Sequence, residues 1–463
     1  MIVDSTVSTK GAPETVLPLC VPTVPGPGTP MTDGFSEVQQ QIQRMAAKGL
    51  RLLAVAERGL SAAELSELAA GSLGADQAES GLTLLGLIGL HDPPRLSVAQ
   101  ALRTAREAGV KVAMVTGDHP STAAAIAREV GLLLDDERVL VGSDLPGDEK
   151  ALGVLLDHDG VVISRVSPEQ KLRVARALQG RGHVVAMTGD GVNDGPALQE
   201  ADVGVAMGIG GTDVAREAAD LILLDDDFAT IVAAIEQGRA TYANIRRFLT
   251  YHLTDNVAEL TPFVIWALSG GSFPLALGVL QILFLDIGTD LLPALALGAE
   301  QPGKGLMRRP PERRHLMDGA LMVRVFAVLG PVEALMEMSA FTVVLTAAGW
   351  HLGGSLPAGG ALIAASGAAF AAVVLGQLAN AYACRSSTFP PWRLGWFTNR
   401  LLLWSVLIEL AALAAFLGVG PVAALLGHAP PPPLGWGVAF LAIPAVLAAD
   451  YVYKVLRHGR LSR

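Results

Sequence analysis

The chain has 463 residues, 51% of them hydrophobic and 17% charged, and a formal net charge of −10. The acidic balance argues against a nucleic-acid partner. Two distant cysteines, Cys20 and Cys384, argue against a disulfide framework or a cysteine zinc site.

Up to about residue 245 the composition is mixed and acidic, and beyond it long apolar runs dominate, which predicts a soluble part and a membrane part. The prolines at 13, 18, 22, 25, 27 and 30 interrupt any apolar leader, so no signal peptide is expected. Lys10-Gly11-Ala12-Pro13-Glu14 comes early, before a Pro/Gly-rich loop at 20–34. Phe35–Lys48 reads as a helix with Val38, Ile42 and Met45 on one stripe, Leu50–Ala56 as a buried strand and Leu82–Leu90 as another. The two prolines of His91-Asp92-Pro93-Pro94-Arg95 stiffen a hinge.

Ser97–Ala108 is an amphipathic helix and Val110–Val115 a strand, ending in Thr116-Gly117-Asp118 before a helix at Ser121–Val130. That places Thr116 and Asp118 at a strand-to-helix turn whose amides suit phosphate, although a helix cap explains the triplet equally well. Gly160–Ile163 is a strand, and Ser164-Arg165-Val166-Ser167-Pro168-Glu169-Gln170-Lys171 opens a helix, where a single lysine is usually solvated. The run from His183 to Ala186 leads into Met187-Thr188-Gly189-Asp190-Gly191-Val192-Asn193-Asp194-Gly195-Pro196. Two carboxylates on a tight turn offer hard oxygen ligands to Mg²⁺, and Gly189 and Gly191 let the backbone approach a phosphate. Any one Asp-Gly pair is more often a plain solvated turn. Further strands at Ala201–Ala206 and Leu221–Leu224 complete an alternation that predicts a parallel α/β sheet with its site at the strand C-termini.

Six apolar segments follow, at about 248–268, 274–299, 320–348, 361–383, 400–418 and 434–456, each long enough to cross roughly 30 Å of hydrocarbon. The loops after the first, third and fifth lack Lys and Arg, while Arg239, Arg246, Arg247, Lys304, Arg308, Arg309, Arg313, Arg314, Arg385, Arg393, Lys454, Arg457 and Arg460 mark the other side. This positive-inside pattern predicts a cytoplasmic soluble part and C-terminus. Acidic residues inside spans need a reason. Asn256 and Glu259 share one helix face, and Asp286, Thr289 and Asp290 another, with Pro262, Gly288 and Pro293 loosening the backbone nearby. Oxygen-only ligands suit a hard cation or protons, not copper. Asp255 is expected to face elsewhere on its helix. Glu333, Glu337 and Glu409 are left open between ligand and structural carboxyl.

The ten residues from Met187 contain Thr-Gly-Asp-Gly-Val-Asn-Asp, which resembles the motif of P-type cation-transporting ATPases. Asp-Pro-Pro-Arg, Thr-Gly-Asp, Arg-Val-x-Pro-x-x-Lys and Lys-Gly-Ala-Pro-Glu stand in the same order as in that family. The resemblance implies an incomplete α/β haloacid-dehalogenase-like (Rossmann-like) domain plus an α-helical membrane domain of six helices, as in type II pumps. Residues 1–90 would be a nucleotide-domain remnant, 91–245 the phosphorylation domain lacking its first strand, and 246–463 the membrane domain. It implies a phosphoryl site of Thr116, Gly117, Asp118, Lys171 and Asn193, with Asp190 and Asp194 on Mg²⁺ and Lys10 and Arg51 on ATP. The transported cation would meet Asn256, Glu259, Asp286, Thr289, Asp290, Gln377 and Asn380. Ser167, where the family often has Glu, is a minor departure, and Gln377 in place of an acid leaves the number of ions open.

The phosphoacceptor motif Asp-Lys-Thr-Gly-Thr is not in the sequence, nor is the actuator Thr-Gly-Glu loop. The resemblance therefore implies the C-terminal half of an ATP-driven cation pump in the plasma membrane, inactive by itself. The alternatives are a non-catalytic Mg²⁺- or nucleotide-binding membrane fragment, or half of a split pump completed by a second chain.

Overall fold

The computed structural model describes residues 2–3, 5–21, 35–46, 48–90, 93–133, 139–303, 305–311, 315–355, 357 and 359–459. His91, Asp92, Lys304, Arg313, Arg314 and Arg460 lie outside them, and nothing is described of the Arg51 side chain. The chain divides into two compact units, one of residues 1–234 with 307–311 and one of residues 235–306 with 312–463.

The first unit begins with an antiparallel sheet in the order β1 (Ile2–Val3), β2 (Thr6–Gly11), β3 (Arg51–Gly59), β4 (Thr83–Leu90). Helix α1 (Ser36–Ala46) follows the Pro/Gly-rich stretch, as its apolar stripe predicts. Beyond Pro94 the backbone alternates: α2 (Leu96–Glu107), β5 (Met114–Val115), α3 (Pro120–Glu129), β6 (Leu140–Val141), β7 (Val162–Ser164), α4 (Pro168–Gln179), β8 (Ala186–Gly189), α5 (Gly195–Glu200), β9 (Val203–Met207), β10 (Leu221–Leu223). These strands form two parallel three-stranded sheets, β5-β7-β6 and β10-β9-β8. Among the described residues β5 and β8 are therefore both edge strands.

The strand expected at Val110–Val115 shrinks to two residues. Upstream, the Val112 amide donates to the Asp159 carboxylate at 2.8 Å, so a side chain takes the place of a ladder partner.

The second unit is helical. Helix α6 (Phe228–Leu268) is continuous through Pro262. Then come α7 (Val279–Gly298), α8 (Gly319–Ala347), α9 (Gly360–Cys384), α10 (Arg400–Gly418) and α11 (Pro433–His458). Among the described residues, five helices, α7 to α11, are long and apolar enough to cross a membrane. The sixth expected span lies within α6, whose His252, Thr254, Asp255, Asn256 and Glu259 reduce its apolarity. Leu401, Trp404, Leu407 and Ile408 stand exposed along α10, an arrangement suited to lipid.

Packing inside this unit relies on small residues. Helix α9 buries its alanines, and a Cβ on Gly367 would fall 1.9 Å from the Ala429 carbonyl oxygen, so only glycine fits there. Phe341, Phe370 and Leu417 fill the same apolar cluster. Two segments widen into π-helical turns, Asp286–Asp290 in α7 and Arg324–Leu329 in α8. Arg324 reaches Asp450 Oδ1 at 2.7 Å, and Lys454 Nζ lies 2.5 Å from Asp450 Oδ2 and donates to the Ala383 carbonyl at 3.0 Å. All three side chains are buried, and they join α8, α11 and the end of α9.

Candidate functional site

In the first unit the Gly-rich turn leaves β8 and folds back on itself. Asp194 is buried, while Asp190 and Asn193 are exposed. Asp194 Oδ2 accepts the amides of Asp190 at 3.3 Å and Gly191 at 3.2 Å, and its Oδ1 lies 2.5 Å from Lys171 Nζ. Gly189 makes this possible, since a Cβ there would stand 2.4 Å from the Asp194 Cβ. The Thr212 amide donates to the Asp190 carbonyl at 2.8 Å and holds the other flank.

Lys171 is placed by the start of α4. Ser167 caps that helix in a reciprocal box with Gln170, and Pro168 occupies its first turn. The backbone just before it is stitched to the Thr116 loop. The Arg165 amide donates to the Asp118 carbonyl at 3.1 Å and the Val166 amide to the Thr116 carbonyl at 3.1 Å. Thr116 Oγ1 donates to Asp118 Oδ2 at 2.9 Å, and Gly117 completes the turn. Arg165 adopts φ 51°, a left-handed conformation unusual for a side-chain-bearing residue. The turn thus brings Asp190 and Asp194 together beside a lysine, groups of the kind that can hold Mg²⁺ and a phosphate.

Further contacts in this region are not announced by the motifs. Glu14 Oε1 lies 3.7 Å from Arg165, and the same oxygen lies 4.0 Å from His119. The Asp226 carboxylate accepts the amides of Gly208, Ile209 and Gly210, bonds that hold it below the usual carboxylate range. No local pattern announces such a clasp; an Asp run after a strand is the only signal. Lys10 is exposed on β2, paired in register with Val55.

In the second unit carboxylate oxygens of Glu259, Asp286 and Asp290 come within 4.8 Å of one another. Glu259 and Asp290 are almost wholly buried, and among the described residues neither Asp290 oxygen has a hydrogen-bond partner. The π-helical turn carries Asp286, Thr289 and Asp290 together. Gln377 Nε2 donates to Glu259 Oε1 at 3.2 Å, and Thr289 Oγ1 lies 3.3 Å from Gln377 Oε1. So five of the expected ligands form one connected group from α6, α7 and α9. Asn256 donates instead to the His252 carbonyl at 2.8 Å. Asn380 donates to Asp255 Oδ1 at 2.9 Å. Asp255 does not face away: it is fully buried against α9, because α6 is packed on more than one side.

One unit thus carries a Gly-rich turn with two carboxylates and a lysine, and the other a buried carboxylate cluster between apolar helices. Residues 28–202 match the family model for haloacid dehalogenase-like hydrolases, and residues 274–456 match that for the C-terminus of cation-transporting ATPases. The chain is 39% identical to the calcium-transporting ATPase of Bacillus subtilis over 422 residues, covering 89% of this chain and 45% of that protein. It is 39% identical to the probable cation-transporting ATPase F of Mycobacterium tuberculosis over 410 residues, 87% of this chain and 43% of that one. It is 36% identical to the sodium/potassium-transporting ATPase subunit alpha of Hydra vulgaris over 380 residues, 74% and 36% of the two chains. The chain belongs to the P-type cation-transporting ATPases, and it spans about half the length of the Bacillus and Mycobacterium relatives.

Proposed function

We propose that the chain supplies the C-terminal part of an ATP-driven pump for a hard inorganic cation. The observation that carries this is the meeting of Glu259, Asp286 and Asp290 between α6 and α7. Three acids in an apolar bundle are costly unless they hold a positive charge. Thr289, Gln377 and Asn256 would complete the cation's oxygen shell, with Asn380 behind them. In the first unit Asp190 and Asp194 would hold Mg²⁺, and Lys171, Thr116, Gly117, Asp118 and Asn193 would receive the phosphoryl group. Lys10 and Arg51 would meet ATP.

In this reading residues 1–90 belong to a nucleotide domain, 91–245 to the phosphorylation domain and 246–463 to a six-span membrane domain that includes the distal part of α6. The positive-inside pattern supports a cytoplasmic soluble part in a plasma membrane. The free edges of β5 and β8 support a further parallel strand between them, bearing the phosphoacceptor aspartate. It would come from elsewhere in a complete pump, in the same protein or in a second chain, and without it the chain would not turn over ATP.

The test is a chimera with the N-terminal part of the Bacillus subtilis relative, reconstituted in proteoliposomes. Cation-stimulated ATP hydrolysis is expected, and is expected to vanish in the D286A/D290A variant. Stimulation of equal size and affinity in that variant would remove the transport reading.

A further inference from the structure

The start of α7, the start of α9 and the end of α10 meet at one histidine. His428 stands in the stretch between α10 and α11 and is buried, with 3% of its surface exposed. Its Nε2 lies 3.1 Å from the Phe416 carbonyl oxygen of α10, and its Nδ1 lies 2.9 Å from Gln281 Nε2 of α7. Gln281 is buried as well, and its Nε2 donates to Ser366 Oγ of α9 at 2.9 Å. The Phe370 ring of α9 meets the imidazole edge-on, with centroids 4.9 Å apart.

Donors and acceptors in this chain of bonds fix the state of the ring. A carbonyl oxygen only accepts, so Nε2 carries the proton that faces Phe416. The Gln281 amide is oriented from its other end. Its Oε1 accepts the Gly278 amide at 2.6 Å, which leaves Nε2, a donor, facing the imidazole. Nδ1 therefore accepts, and His428 is neutral. A second proton would set an N–H of the ring against an N–H of the amide. Turning the amide over would relieve that contact only by breaking the bond from Gly278, the residue that caps α7. The groups that face this network are uncharged: Gln281 of α7, Ser366 and Phe370 of α9 and Phe416 of α10. Among the described residues no acid or base acts on the imidazole, so no carboxylate is at hand to hold an added charge. Burial works in the same direction and holds the ring below its ordinary value.

The stretch that carries His428 is pinned on both sides of it. The His428 amide donates to the Ala423 carbonyl at 3.0 Å, and the Ala429 amide to the Ile363 carbonyl of α9 at 3.0 Å. Pro430–Pro433 follow and stiffen the entry to α11. A change at the imidazole is therefore passed to α7 and not absorbed by a slack loop. We propose that His428 is a proton-operated latch on α7: the neutral ring holds the helix start to α9 and α10, and a proton on Nδ1 releases it. Gln281 stands five positions before Asp286, so the latch bears on the helix that carries the carboxylates. A histidine held neutral by the fold contributes fully above its unfolded value of about 6.5, and the contribution is lost as pH falls below that. The 419–433 loop lacks Lys and Arg, so on the positive-inside pattern the proton would come from the side opposite the cytoplasm. Only that side of entry rests on the pump reading.

The test is hydrogen–deuterium exchange of the peptide 278–285 in the whole chain in lipid nanodiscs, at about pH 7.5 and about pH 5.5, either side of the ordinary histidine value. H428Q keeps a donor and an acceptor but takes no proton, and the parent-to-variant ratio at each pH cancels the intrinsic pH dependence of exchange. That ratio is expected to rise by about two- to tenfold on going to acid, the loss of one hydrogen bond. Q281E approaches the latch from the other helix. Its carboxylate can accept from a protonated Nδ1, so the parent-to-Q281E ratio is expected to rise as well, and it serves if H428Q fails to fold. A ratio to either folded variant that stays level would overturn the latch. A rise of equal size in Gly330–Ala347 of α8 would mean that acid loosens the whole bundle, and would overturn it too. The pump reading is tested by transport and is untouched by these results.

Discussion

Lys171 Nζ stands 2.5 Å from Asp194 Oδ1, joining the first turn of α4 to the Gly-rich turn after β8. Asp194 is largely buried, so deleting the lysine leaves a carboxylate without its cation. K171M is expected to destabilise the first unit by about 1–3 kcal/mol. The K171M/D194N pair should recover part of that loss. Denaturant unfolding of the four corners of this double-mutant cycle measures the coupling; strict additivity would mean that the contact contributes nothing.

Gly189 offers a sharper probe of the same turn. The methyl group of an alanine there would stand 2.4 Å from the Asp194 Cβ and push against it. G189A is expected to cost roughly 1–3 kcal/mol. It should also weaken Mg²⁺ binding to the turn, followed by titration calorimetry. Wild-type stability with wild-type Mg²⁺ affinity would show that the turn has room to spare.

The buried Arg324–Asp450–Lys454 group predicts an asymmetry in the membrane unit. D450N leaves two buried cations without their anion and is expected to lose roughly 3–5 kcal/mol. Replacing all three by apolar residues of similar volume should restore most of it. Thermal aggregation in detergent reads both variants, and a D450N protein as stable as the parent would contradict the pairing.

Acid should weaken the first unit in part through Asp157. Its carboxylate is bonded by Lys111, Arg181 and His183, which hold it well below the usual carboxylate range. A depressed folded value means that the group stabilises above the unfolded value of about 3.9, and that this contribution fades as pH falls below it. D157N should lower the melting temperature at neutral pH and flatten its decline below about pH 4. A parallel acid limb in mutant and parent would assign that decline elsewhere.

What can be read from the sequence is what local order writes. The Gly-Asp-Gly turn, the helix start at Pro168 and the face shared by Asp286, Thr289 and Asp290 depend on spacing within a few residues, and each has a place in the fold. Contacts that join distant segments are not legible. Asp159 takes the Val112 amide and shortens a strand, and Glu14 reaches Arg165 from far away in the sequence of the first unit. Asp255 is misplaced by a helical wheel, which assumes one buried face, whereas α6 is flanked on several sides. His252, Thr254, Asp255, Asn256 and Glu259 also lower the apolarity of α6, a cost that reading by apolar runs alone overlooks.

The two π-helical turns have one more consequence. Each works as a vernier: the wide turn takes in one extra residue while the halves of the span keep nearly the facing of a continuous α-helix. In α7 the first half points Gln281 to Ser366 and His428, while the second buries Ala294 and Leu297. Removing one residue from 286–290 would let the span close as a regular helix whose two halves face nearly as they do now, since four residues of α-helix wind through about the same angle as five of the wider turn. The hydrophobic length and the Gln281 contacts would hardly change, but Asp286, Thr289 and Asp290 would lose the spacing that the wide turn gives them. In this protein, a wide turn resets the spacing of polar groups on a membrane helix without changing the helix's aim.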